Sequence, residues 1–159
     1  MSAKAEILKE EFEFVFARLE ETLEGIDDKE FTYRLTEASN NIQMILNHLS
    51  IFTNINIPSI MRGEPYHTPE DKPIDSDEPK YGLEELMTAI NNGKKKIIDE
   101  FIGLSDDDLE EIVPLMAGPY PRKIGLYAYI GELFHHRGQI AFIRGTVKRL
   151  RERDPDFLK

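Results

Sequence analysis

The sequence predicts an all-α fold, a four-helix bundle. Three observations carry the prediction. Four long stretches repeat their apolar residues every three or four positions, the period of a helix with one buried face. No stretch alternates convincingly between apolar and polar residues, as a half-buried strand would. A chain of 159 residues, 40% apolar and 31% charged, is long enough to bury a full core as one domain spanning residues 1–159.

The first helix is expected from about Ser2 to Leu23. Leu8, Phe12, Val15, Leu19 and Leu23 make its stripe, Ser2 caps its start, and Gly25 with Asp27-Asp28 stops it. The second is expected from about Thr36 to Asn56, with Ala38, Ile42, Ile45, Leu49 and Phe52 on its face. Thr36 or Ser39 is the expected N-cap. Pro58 lacks an N–H, so the helix is expected to end or kink there. The segment from about Gly63 to Lys80 is polar and holds Pro65, Pro69, Pro73 and Pro79. Proline at that density argues against helix or central strand, and the segment reads as a long connection between two halves of one bundle.

The third helix is expected from about Leu83 to Ile102, with Leu83, Leu86, Met87, Ile90, Ile97 and Phe101 marking its face. Ser105 followed by three aspartates reads as the cap and acidic first turn of a short helix through about Ile112. Pro114, Gly118, Pro119 and Pro121 read as the next connection. The fourth helix is expected from about Lys123 to Arg151.

The formal charge is −10, so nucleic acid is not an expected partner: a phosphate backbone needs a basic face. Lys94-Lys95-Lys96 and the C-terminal arginines read as solvated helix faces. There are no cysteines, which excludes disulfides and thiolate metal sites. The N-terminus does not read as a signal peptide and no apolar run approaches bilayer length, so a cytoplasmic protein with no membrane partner is expected.

The chemistry concentrates in Gly131-Glu132-Leu133-Phe134-His135-His136-Arg137-Gly138-Gln139. Glu132 and His136 are four residues apart in a helical pattern, on one face and one turn apart. Gly125, Tyr129, Glu132, His136, Gln139, Ile143 and Val147 share that face, which sets a polar cluster inside an apolar stripe. Polar groups turned towards a core need partners, and such a conflict tends to mark a functional site. His48 lies beside the stripe of the second helix. His48, Glu132 and His136 together make a candidate three-ligand site for a divalent ion between facing helices. Each also has an ordinary reading: a packed core histidine for His48, a surface ion pair for Glu132 and His136. His135, Gln139 and the loop residue His67 are candidates for alternative ligands or supporting contacts. Gly125 and Gly138 are expected to allow close helix approach, and Arg137 is expected on the surface or against a loop.

His136-Arg137-Gly138-Gln139, late in a fourth helix, resembles the HRGQ signature of the DinB-like (YfiT-like) metalloenzymes. His48, within Leu46-Asn47-His48-Leu49, matches that family's first histidine ligand, and the likeness covers nearly the whole chain. It implies an up-down-down-up bundle, a divalent ion such as Zn, Ni, Fe or Mn, and a homodimer. It also implies small-molecule chemistry, including transfers that use low-molecular-weight thiols. One departure matters: the family has histidine four residues before the HRGQ histidine, and this chain has Glu132. Two imidazoles and a carboxylate still bind divalent ions, with a preference shifted towards harder ones.

The expectation is therefore a metal-dependent enzyme acting on a small molecule by hydrolysis or thiol-dependent group transfer. The alternative is a non-catalytic bundle that dimerises or binds a small molecule and whose metal site has degenerated.

Overall fold

The computed structural model describes residues 1–65 and 81–159. Helix α1, Ala3–Leu23, starts where Ser2 Oγ accepts the Ala5 N–H at 3.2 Å and buries Leu8, Phe12, Val15 and Leu19 as its periodicity requires. Gly25 beyond its end takes a left-handed φ of +70°. A short helix α2, Asp28–Thr32, is capped by Asp27.

The second long helix is displaced from its expected span. It begins as α3, Ile42–Ile51, with Asn41 Oδ1 accepting the Met44 N–H at 2.9 Å. Thr36 and Ser39 are not its caps. They close a turn on one another, with Thr36 N–H and Ser39 Oγ bonded at 2.9 Å. Nor does the helix end at Pro58. It continues through a π-helical turn, Phe52–Asn56, into α4, Ile57–Arg62, and stops at Gly63 with φ +70°. The reason lies in hydrogen-bond register. In the π turn an N–H reaches five residues back, as Ile57 N–H does to Phe52 O. That shift sets Pro58 in the first turn of α4, where a missing N–H is tolerated.

Helix α5 is Leu83–Phe101. Helix α6, Asp106–Glu110, carries the expected Ser105 cap. The proline-rich stretch after it is a hairpin, not an irregular connection: β1, Ile112–Leu115, pairs antiparallel with β2, Gly118–Pro121. Pro114 stands opposite Pro119. Neither has an N–H, so ladder bonds can fall only on the alternate pairs, and Arg122 N–H to Glu111 O at 2.8 Å continues that series. Helix α7, Arg122–Arg153, completes the chain's long elements.

Side-chain contacts give the helix directions. Lys4 and Lys123 both reach Glu110, and Arg144 reaches the carbonyls of Thr22 and Glu24, so α1 and α7 run parallel. Asn56 Nδ2 meets Tyr129 Oη at 2.9 Å and Arg122 Nε meets Ile60 O at 3.1 Å, so α3–α4 opposes α7. Gln43 bonds Tyr81 O and Arg62 bonds Glu100, so α5 runs parallel to α3–α4. The order is up-down-down-up. Parallel neighbours cannot be joined by a tight turn: the chain leaves α4 at one end of the bundle and enters α5 at the other, about 30 Å of helix away.

The core draws on all the long helices, with Phe12, Phe16, Phe101, Leu46 and Ile97 fully buried. Arg122, only 4% exposed, binds the carbonyls of Ile60 and Asp108 and the Glu111 carboxylate. A buried guanidinium needs that many acceptors. It locks α4, α6 and the hairpin around the first turn of α7.

Candidate functional site

His48 projects from α3 one turn before the π turn. Its ring packs on Phe52 at 4.2 Å and meets His136 of α7 edge to face, 4.9 Å between ring centres. Its Nδ1 is buried and has no hydrogen-bond partner among the described residues. Burial pushes the His48 pKa below the usual histidine value, and the neighbouring His136 adds to the fall.

His136 is half-buried and its ring is oriented from its own helix. Gln139 Oε1 lies 2.8 Å from Nδ1. An amide oxygen only accepts, which assigns the proton to Nδ1 and leaves the Nε2 lone pair free. Burial lowers the His136 pKa too, against the raising effect of Gln139. Glu132 Oε2 lies 3.7 Å from the bare Nε2. A lone pair and a carboxylate both accept, so no hydrogen bond joins them.

The donors suit a divalent ion. Two imidazoles sharing a cation at about 2.1 Å have ring centres roughly 5 Å apart, near the observed separation. His48 Nδ1 is an orphaned buried acceptor or donor of the kind that asks for a missing partner. Yet among the described residues no three His, Asp or Glu side chains already converge on one point. Two imidazoles meet, and the exposed Glu132 carboxylate stands beside one of them.

The other candidates scatter. His135 is exposed, its ring 5.1 Å from that of His136. His67 lies outside the described residues. Gln139 contacts the site only through His136. Gly125 does allow close approach, since a Cβ there would stand 2.8 Å from Leu115 and 3.2 Å from Ile60. Gly138 does not: nothing lies within 4 Å of a Cβ built on it. Arg137 is half-buried and bonds Thr22 Oγ1 of α1 at 2.8 Å, so it fastens two helices instead of meeting a loop.

A cavity of about 600 Å³ opens beside His48. Phe52, Ile60, Leu115, Met116, Tyr120 and Ile124 supply apolar wall; His48, Asn56, Tyr129 and Glu132 supply the polar end. Phe52 and Tyr129 stand edge to face at 4.9 Å. No lysine or arginine lines it among the described residues. Sequence reasoning missed Phe52, Asn56 and the hairpin as parts of this site. Asn54 and Asn56, polar residues just before a proline in an apolar helix, were the available signal for the π turn. The hairpin left only Gly118 between two proline-bearing segments.

The sequence of residues 11–140 matches the DinB superfamily profile. The chain belongs to the DinB superfamily. A solved crystal structure, described as the conserved protein of locus from Enterococcus faecalis, superposes with a TM-score of 0.68 at 14% identity, covering 91% of this chain and 96% of that one. At that identity the likeness shows the fold alone. No curated protein matches this sequence. Among the described residues of this DinB superfamily member, no helix is long and apolar enough to cross a membrane.

Proposed function

We propose that this DinB superfamily protein is a divalent-metal-dependent enzyme that acts on a small molecule by hydrolysis or thiol-dependent group transfer. The observation that carries the reading is the meeting of His48 and His136, from opposing helices, where His48 lines the polar end of an apolar cavity. His48, His136 and the exposed Glu132 are the residues that would hold the ion; Zn, Ni, Fe and Mn are the candidates. A bound divalent ion supplies Lewis acidity and lowers the pKa of a water or thiol. Gln139 holds Nδ1 of His136 and leaves its Nε2 lone pair free, and burial favours the neutral, ligating form of both imidazoles. Phe52, Ile60 and Leu115 exclude water and favour a substrate with a mostly apolar body.

The test is metal analysis of protein purified without a histidine tag. One divalent ion per chain is expected, lost in His48→Ala and in His136→Ala. Metal-free protein that binds none of the four ions on addition overturns the proposal.

A second reading is favoured by one observation: no three ligands converge among the described residues, and the Glu132 carboxylate is exposed. Under it the site is degenerate and the bundle binds a small molecule without catalysis. The same metal analysis separates the two.

A further inference from the structure

We propose a second binding site, for a small oxyanion, in the outer groove between α1 and α7. Arg18, Arg137 and Arg144 line a depression of about 300 Å³ there, with Glu21, Thr22 and Ala141. Three guanidiniums face one carboxylate, on a chain whose net charge is −10. The cluster is therefore a local reversal of sign, which general composition does not explain.

Two of the three guanidiniums, those of Arg137 and Arg144, meet Thr22, whose hydroxyl is held by the backbone carbonyl of Arg18. The Thr22 hydroxyl donates to Arg18 O at 2.7 Å and accepts Arg137 Nε at 2.8 Å, while Arg144 bonds Thr22 O. Two of the three cations are already neutralised. Arg18 pairs with Glu21, and Arg144 with the buried Glu30 at 2.9 Å and with Glu24 O. Arg137 is different: it is half-buried, its Nε is spent on a neutral hydroxyl, and no carboxylate pairs with it among the described residues. Thr22 thus fixes the fork while its two terminal nitrogens keep their donors. A rigid fork of donors matches the two oxygens of a carboxylate or a phosphate. The neighbouring cations raise the attraction and disfavour leaving the charge unanswered. The shared chemistry is an oxyanion; a free phosphate and the carboxylate of an organic acid are its two sources.

The test is thermal denaturation of the full chain with inorganic phosphate, with acetate and with chloride at matched ionic strength. A saturable rise in midpoint with phosphate or acetate, absent with chloride, is expected from ligand linkage. General salting effects rise without saturation. Saturation by phosphate alone identifies phosphate as the source, and saturation by acetate identifies a carboxylate. Arg137→Gln should raise the half-saturating concentration about tenfold or more, the loss of one charge-assisted pair of bonds. Arg18→Gln, at a half-buried position outside the core, should weaken it in the same direction and guards against misfolding of the first variant. Equal responses to all three salts overturn the proposal, as does a half-saturation unchanged in both variants.

Discussion

At the scale of single residues, the ring of His136 is governed by neighbours on its own helix. Gln139 holds Nδ1 from one side and Glu132 approaches Nε2 from the other. Burial then keeps His136 and His48 neutral at physiological pH, because the charged form loses more hydration than the neutral one. This has a signed consequence for stability. Both folded pKa values lie below the 6.5 of an unfolded histidine. The unfolded chain therefore takes up protons first as pH falls. Stability tied to these neutral rings is present above pH 6.5 and is lost as pH falls from there through the folded values. Denaturant midpoints measured in chelator between pH 7.5 and pH 5 should decline, and His48→Gln should flatten the decline. An identical pH profile in the variant would show that these rings are not its source. Two histidines and a glutamate in suitable register were legible in the sequence. The tautomer was not, since it depends on which atom of Gln139 turns inward.

At the scale of elements, two glycines make opposite predictions. Gly93 of α5 faces the π turn, and a Cβ there would stand 2.6–2.8 Å from Thr53 atoms, one of them backbone. Gly93→Ala should therefore destabilise the protein by about 1–3 kcal/mol, the range for overpacking. Gly138 of α7 has open space at its Cβ. Gly138→Ala should stabilise by about 0.5–1 kcal/mol, the gain in helix propensity. Chemical denaturation of both variants checks the pair. A destabilised Gly138→Ala would mean that a second chain packs on that helix face. Helix faces were legible because periodicity reports burial directly: Leu8 to Leu23 and Leu86 to Phe101 fall where expected. The boundaries around Pro58 and Pro114 were not. A proline breaks an α-helix or a central strand, but a π turn and a non-hydrogen-bonded strand pair each remove the need for its N–H.

At the scale of the whole molecule, the up-down-down-up order brings His48 and His136 together. Antiparallel α3–α4 and α7 run their polar faces past each other, from Asn56 beside Tyr129 to His48 beside His136. The parallel α1–α7 pair builds the arginine groove on the outer side. Exposed apolar side chains remain on the same two helices, with Phe14 at 55% and Phe142 at 63%. We propose that they supply surface for the homodimer that the family resemblance implies. Sedimentation analysis at micromolar concentration should give twice the chain mass of 18.4 kDa, and Phe142→Glu should shift it towards monomer. A wild-type chain that sediments as a monomer at every concentration would rule the homodimer out.

Taken by itself, the sequence determined the helical class, the inward faces, the Ser2 and Ser105 caps and the residues able to ligate a cation, because each is set by local spacing and side-chain chemistry. Only the tertiary structure decided that two histidines 88 positions apart share an edge, that Glu132 leans on one of them, and that Arg18, Arg137 and Arg144 gather around Thr22. Those facts depend on helix direction and on rotation about each axis, which packing of the whole core selects and no single segment encodes.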